Sequence, residues 1–158
     1  KVNQGDAFFL ETGTIHAIGA GTVIAEIQQT SDITYRLYDF ERVDVHGNKR
    51  ELHVDLAVDA INYEVVAAEK FYSKNSNTSN EIVNCPYFTT NVLKVNDTIL
   101  KENTHDSFMI YMCVEGKAQI EVDGNQTEIS MGETVLIPAC IKRFSISANH
   151  AKLLEVYV

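Results

Sequence analysis

The sequence predicts a mostly β protein built as a sandwich or jelly roll. Short segments rich in β-branched and aromatic residues recur along its 158 residues. Turn-forming strings lie between many of them, namely HGNK at 46–49, EGK at 115–117, DGN at 123–125 and MGE at 131–133. Strands at such even spacing are typical of antiparallel sandwiches and jelly rolls.

The predicted strands cover both halves of the chain. In order they are AFFL at 7–10, TVIAEI at 22–27, ITYRLYDF at 33–40, YFTTNVLKV at 87–95, SFMIYMCV at 107–114, AQIEV at 118–122, TVLIP at 134–138, RFSIS at 143–147 and KLLEVYV at 152–158. One short helix is predicted within HVDLAVDAIN at 53–62, because Val54, Val58 and Ile61 recur at helical spacing. The polar segment SKNSNTSN at 73–80 is predicted to be an exposed loop.

Charge and cysteine content narrow the class of protein. The net charge is −9, from 13 Lys and Arg against 22 Asp and Glu, so neither nucleic acid nor an anionic membrane surface is an expected partner. The three cysteines are odd in number and far apart, which is typical of reduced core residues in a cytoplasmic protein. No apolar run is long enough to cross a bilayer, and the first residues do not form a signal peptide.

A faint internal repeat links the two halves. Gly5 precedes the string ETG at 11–13 and then His16, while Gly132 precedes PAC at 138–140 and then Arg143. Each glycine is followed by strand-forming residues, and the distance from glycine to the last residue is the same in both copies. The region before the second copy, DSFMIYMCVEG at 106–116, contains no histidine.

The repeated template resembles the second cupin motif, in which a glycine opens a strand and a histidine enters the barrel as a metal ligand. The segment EIQQTSDITYRLYDF at 26–40, with GTIHAIGAGT at 13–22 and ELHVDLAVDAIN at 51–62, resembles the signature region of class I mannose-6-phosphate isomerases, in particular the short bacterial form. The resemblance implies a C-terminal half in which residues 1–50 end a catalytic cupin, 51–80 form a helical connector and loop, and 81–158 form a complete, metal-blank cupin. It also implies a missing N-terminal half.

The resemblance assigns roles to five residues. His16 is implied as one ligand of a zinc ion whose remaining ligands lie in the absent half. Arg36 is implied to reach a sugar-phosphate substrate, where its planar fork suits the oxyanion of an enediolate. Glu26, Gln28 and Asp32 are weaker candidates for orienting Arg36 or the sugar hydroxyls. The activity implied is the interconversion of mannose 6-phosphate and fructose 6-phosphate.

Alternatives stay open at this point. Arg36 could instead be the structural ion-pair partner of Glu26 or Asp32. The chain could be a non-catalytic cupin module that binds a sugar or regulates a partner; a different metal cupin, such as an iron oxygenase, fits the 26–40 string less well. We also expect a dry, apolar interior for the second cupin, filled by Phe108, Ile110, Met112, Val135, Ile137 and Phe144.

Overall fold

A computed structural model describes residues 1–31 and 33–158. The chain forms two compact units, one made of Lys1–Ala7 with Glu69–Val158 and the other of Phe8–Ala68. The elements are β1 (Ala7–Phe8), α1 (Val54–Ala60), β2 (Glu69–Lys70), β3 (Ser79–Asn84), β4 (Thr89–Val95), β5 (Thr98–Glu102), β6 (Met109–Val122), β7 (Asn125–Ser130), β8 (Thr134–Ile137), β9 (Arg143–Ser147) and β10 (Ala151–Tyr157). No helix among the described residues has the length and apolarity needed to span a bilayer.

The larger unit is an antiparallel jelly roll organised around the long strand β6. The N-terminal part of β6 pairs with β10 and β8, and its C-terminal part pairs with β7 and β9. Beyond these, β10 pairs with β4 and β4 with β3, while β9 pairs with β5. The predicted mostly β, jelly-roll class is therefore confirmed. Four strands, β2, β3, β5 and β7, were not predicted, because their sequences are largely polar and carry few β-forming apolar residues.

The core of this unit contains the inward side of each strand. Alternation along β6 buries Met109, Tyr111 and Cys113. The expected filling is wrong for Phe108, which is exposed, and for Ile110 and Met112, which are only half-buried. A continuous apolar run such as FMIYMC does not reveal which side of the strand faces inward. Ile137 and Phe144 are buried as expected, and Val135 packs at the margin of the core.

The expectation of an apolar interior is wrong, because the interior of the larger unit also contains a buried charged residue, Glu155. The Glu155 carboxylate, 2% exposed, lies 2.6 Å from the Lys101 ammonium. It accepts hydrogen bonds from the Tyr111 hydroxyl at 2.7 Å, the Ser79 hydroxyl at 2.7 Å and the Asn91 amide at 3.0 Å. Burial opposes ionisation of this carboxyl, but the charge and hydrogen bond of Lys101, with those from Tyr111 and Ser79, leave the Glu155 pKa below its usual value. Burial and the charge of Glu155 raise the pKa of the Tyr111 hydroxyl.

A glycine fixes the register between β6 and β10. Gly116 has φ 73° and pairs with Ala151 next to a register shift between Lys152 and Leu153. A Cβ at position 116 would lie 2.3 Å from the His150 carbonyl oxygen, which is backbone and cannot move aside. The positive φ and the close approach of the neighbouring strand therefore both require glycine here.

We expect Gly116→Ala to lower the free energy of unfolding by more than about 2 kcal/mol, because it adds a backbone clash to the cost of a left-handed conformation. Gly132→Ala is the matched control, since Gly132 has φ 91° but open space around its Cβ position, and about 1 kcal/mol is expected there. Urea unfolding of both variants measures the difference. Equal losses would show that the approach of the His150 carbonyl is unimportant.

The smaller unit contains the predicted helix but lacks the predicted strands. Helix α1 lies within the predicted segment and buries Ala57. The segments 22–27 and 33–40 are not strands: Val23 is 98% exposed and Ile33 69% exposed, and no strand ladder pairs with either segment in the described residues. Amino-acid preference alone does not make a strand, because the backbone groups need a paired neighbour. The predicted loop at 73–80 is also too long by two residues, since β3 begins at Ser79.

Candidate functional site

The internal repeat has the same local geometry in both copies. Gly5 and Gly132 each adopt φ 91°. The Asp6 main-chain N–H donates to the Asn3 carbonyl at 3.2 Å, and the Asp6 carboxylate accepts from the Asn3 N–H at 2.7 Å. The Glu133 N–H likewise donates to the Ser130 carbonyl at 2.9 Å, and the Glu133 carboxylate accepts from the Ser130 N–H at 2.6 Å. The carboxylate after each glycine thus closes the same turn before a strand.

The match continues into the second part of each copy. The Thr14 N–H donates to the Glu11 carbonyl, and the Ile141 N–H donates to the Pro138 carbonyl, both at 3.0 Å. Glu11 thus has the same role in its turn as the proline of the other copy. The equal spacing in the sequence therefore corresponds to a repeated backbone turn. His16 and Arg143 follow this turn at the same distance along the chain, although Arg143 begins β9 and His16 lies outside any strand.

His16 is exposed and does not lie in a strand. Its Nδ1 lies 2.8 Å from the Thr14 carbonyl oxygen. A carbonyl only accepts, so Nδ1 carries a proton, and in the neutral ring Nε2 then keeps its lone pair. Metal-binding histidines commonly have this arrangement, in which a main-chain carbonyl fixes the tautomer and the ring orientation. His16 therefore fits the role of a zinc ligand through Nε2.

The Arg36 side chain is half-buried and held by its neighbours. Its Nη1 donates to the Glu51 main-chain carbonyl at 3.1 Å. The Arg36 N–H donates to Nδ1 of His53 at 3.2 Å, and the Arg36 carbonyl accepts from the His53 N–H at 2.8 Å. No ion pair joins Arg36 to Glu26 in the part of the chain that is described. One N–H of the guanidinium is thus used to fix it, and the fork has further donors for another group.

A second arginine and a buried aspartate lie close to Arg36 in the sequence. Arg50 donates to both oxygens of Asp39, with Nε at 2.7 Å from Oδ2. These hydrogen bonds lower the pKa of Asp39, as do the charges of Arg50, Arg42 and Arg36, although partial burial opposes them. The charges of three arginines thus act on one carboxylate. Residues 36–51 as a whole contain four basic and four acidic side chains, so binding of an anion here would depend on the free donors of a single arginine and not on an excess of positive charge.

The structure gives less information on the weaker site candidates Glu26, Gln28 and Asp32. Glu26 and Gln28 are both exposed, and Asp32 lies outside the described residues. Of the other four histidines, His46 and His150 are exposed, whereas His53 and His105 are half-buried. Across 1–31 and 33–158, no three His, Cys, Asp or Glu side chains converge on a point that could hold a metal ion.

Sequence reasoning missed Asp39, Arg50 and His53. The first two are eleven residues apart, and only the turn between them brings their opposite charges together. His53 lies at the start of the predicted helical segment, where a capping role is the ordinary expectation for a polar residue. It does occupy the N-cap position of α1, but its side chain makes no capping hydrogen bond and accepts from Arg36 instead.

Comparison with known proteins identifies relatives over most of the chain. A mannose-6-phosphate isomerase of Streptococcus mutans is 31% identical over 150 residues, covering 94% of this chain and 47% of the relative. A mannose-6-phosphate isomerase of Bacillus subtilis is 30% identical over 152 residues, covering 92% of this chain and 47% of the relative. The chain thus spans about half the length of the curated relatives it matches, and the matches fall in their C-terminal halves.

Solved structures with a similar fold include members of the same family as the sequence relatives. The crystal structure of the mannose 6-phosphate isomerase from Bacillus subtilis aligns with a TM-score of 0.69 and 26% identity, covering 81% of this chain and 41% of that one. A phosphomannose isomerase mutant from Salmonella typhimurium, at 17% identity and a TM-score of 0.55 over 70% of this chain and 29% of that one, shares the fold. The family model for the mannose-6-phosphate isomerase cupin domain matches residues 78–158. From the jelly roll, the repeated cupin turn and these matches together, the chain belongs to the mannose-6-phosphate isomerase cupin family.

Proposed function

We propose that this chain is the C-terminal half of an aldose–ketose isomerase that interconverts mannose 6-phosphate and fructose 6-phosphate. The observation that carries the proposal is the guanidinium of Arg36, which the Glu51 carbonyl holds in place while further donors stay free. A sugar phosphate is an anion, and its conversion from aldose to ketose passes through an enediolate, which is also anionic. One oriented guanidinium with free donors suits both charges.

Arg36 would act on the developing enediolate. The Glu51 carbonyl and His53 hold the residue at its side chain and its main chain, so its remaining donors are oriented before the substrate binds. Fixed donors are more effective than mobile ones, because they need no reorganisation as negative charge develops on the sugar oxygen. The general base that moves the proton between C2 and C1 is not assigned to a residue of this chain.

A zinc ion completes the proposed site. His16 would bind it through Nε2, with the remaining ligands supplied by the N-terminal half of the isomerase. When bound, zinc holds and polarises oxygens of the sugar. Glu26, Gln28 and Asp32 stay candidates for contacts with the sugar hydroxyls. Their support is their position in the signature segment.

The domain organisation is part of the proposal. Residues 1–50 would complete a catalytic cupin begun by the N-terminal half, 51–80 would connect, and 81–158 would form a second cupin without metal. The exposed apolar residues of the first segment, among them Ile15, Val23 and Ile33, support this, because such side chains are normally covered by a partner. The expectation of core cysteines is correct for Cys113 and wrong for Cys140, which is exposed. We also propose a cytoplasmic location, since free exposed cysteines persist in a reducing compartment.

A fusion tests the function directly. The N-terminal half of the Bacillus subtilis isomerase would precede residues 1–158, and a coupled assay would follow fructose 6-phosphate formed from mannose 6-phosphate. We expect activity from this fused isomerase and none from the 158-residue chain alone. A folded fusion that binds the sugar phosphate without converting it would favour the alternative of a non-catalytic sugar-binding cupin.

Zinc content provides a separate prediction. The isolated chain should bind zinc weakly, because it supplies one of the three protein ligands that a catalytic site usually needs. In the fused isomerase, His16→Ala should remove both zinc and activity, whereas His46→Ala, at an exposed turn, should retain both. Metal analysis after competition with a chelator gives the result. Tight stoichiometric zinc in the isolated chain, or full zinc in the His16→Ala fusion, would contradict the assignment.

A further inference from the structure

Residues 51–53 hold Arg36 at three points. The Glu51 carbonyl accepts from the guanidinium at 3.1 Å, the His53 N–H donates to the Arg36 carbonyl at 2.8 Å, and Nδ1 of His53 accepts from the Arg36 N–H at 3.2 Å. The third contact is unusual because a side chain, and not a backbone carbonyl, satisfies the main-chain donor. The conformation of Arg36 therefore depends on the identity of the residue at 53.

The hydrogen bond determines the state of the His53 ring. A main-chain N–H can only donate, so Nδ1 must be without a proton, and the neutral ring carries its proton on Nε2. The carboxylate of Glu51 lies 3.9 Å from Nε2 and attracts that proton. The Tyr35 ring meets the imidazole edge-on, with ring centroids 6.5 Å apart.

Helix α1 anchors His53 from the other side. The His53 carbonyl accepts the first hydrogen bond of the helix, from the Ala57 N–H at 2.8 Å. His53 thus belongs to the start of a helix through its main chain and to the Arg36 segment through its side chain. A shift of the imidazole would shift the residue that carries the guanidinium.

The geometry points to His53 as a positioning residue for Arg36 in the isomerase reaction. This inference rests on the proposed function. His53 does not contact the sugar; it fixes the main chain of Arg36, so that the guanidinium is oriented when negative charge develops. A misplacement of about 1 Å in such a group can cost on the order of a hundredfold in rate.

Three substitutions separate this role from simple packing. In the fused isomerase, His53→Leu removes the acceptor, and His53→Gln places an acceptor near the position of Nε2. His53→Asn keeps an acceptor near the position of Nδ1. We expect kcat to fall about tenfold to a hundredfold for Leu and Gln, with KM within about twofold, and to recover most of the way for Asn. Combined with Arg36→Lys, His53→Leu should cost much less than it does alone, because the guanidinium it positions is already lost.

Amide hydrogen exchange gives a readout that does not depend on activity. The Arg36 N–H should exchange slowly in the wild type and His53→Asn and at least about tenfold faster in His53→Leu and His53→Gln. Unchanged exchange in His53→Leu, wild-type kcat in that variant, or failure of His53→Asn to recover would each overturn the inference. If the fused isomerase is inactive while Arg36 exchange still responds as expected, the proposed function fails and the pairing of His53 with Arg36 stands.

Discussion

Arg36→Lys is expected to lower kcat of the fused isomerase by about 10² to 10³, the usual cost of losing a preorganised donor to an oxyanion. The substitution keeps the positive charge, so general attraction of the sugar phosphate should survive. What is lost is the planar fork, of which one donor is anchored to the Glu51 carbonyl while the others stay oriented. Steady-state kinetics with the coupled assay would measure the change, and zinc content and melting temperature should stay close to wild type.

Arg143→Lys is the matched control. Arg143 occupies the position equivalent to His16 in the second copy of the repeat, but its side chain is 84% exposed and pairs with Glu102 at 3.4 Å. Exposed pairs of this kind contribute about 0–1 kcal/mol to stability, and kcat should not change. If Arg36 were only structural, Arg36→Lys would lower the melting temperature and leave turnover intact, which is the outcome that would rule out the catalytic role.

Lys101→Met should destabilise the jelly roll by about 3–5 kcal/mol at neutral pH, because it leaves the Glu155 carboxylate buried without its counter-charge. The methionine has similar length and adds no cavity. Lys117→Met is the control, since Lys117 and Glu128 form an exposed pair at 3.1 Å. Such a pair should contribute about 0–1 kcal/mol to the free energy of unfolding. Denaturant unfolding of the 158-residue chain would compare the two variants with wild type.

The pH dependence of this loss follows from the sign of the pKa shift. In the wild type the Glu155 pKa is lowered, so its ionised form stabilises the fold above the unfolded-state pKa, and this contribution disappears as the pH falls through the folded-state value. In Lys101→Met the hydrogen bonds from Tyr111 and Ser79 remain, but the counter-charge that offsets most of the burial is lost. The same carboxyl should then take up a proton more readily than in the unfolded chain. The gap between variant and wild type should therefore shrink in acid. If the stability lost in Lys101→Met were the same at every pH, Glu155 would not be ionised in the wild type. The double variant Lys101→Met/Glu155→Gln should recover most of the stability lost in Lys101→Met.

The Glu155 cluster shows one limit of the sequence. The segment KLLEVYV at 152–158 is predicted to be a strand, and its one glutamate, Glu155, would normally be placed on the exposed side of that strand. The structure puts Glu155 on the inward side, because its partners come from separate strands: Lys101 from β5, Tyr111 from β6 and Asn91 from β4. Only the jelly roll brings these side chains together, so a local pattern cannot reveal that the buried charge is paired.

By itself, the sequence determined the fold class, the helix at α1 and the repeated glycine turns, because each depends on residues close along the chain. Local preference, helical spacing and left-handed glycines act within a few residues. The tertiary structure decided which face of β6 is buried, and it placed His53 and the Glu51 carbonyl on Arg36 and Lys101 beside Glu155. It also decided that 22–27 and 33–40 are not strands here. These outcomes depend on groups distant in sequence, because a strand, a buried charge or an oriented guanidinium exists only with its partner.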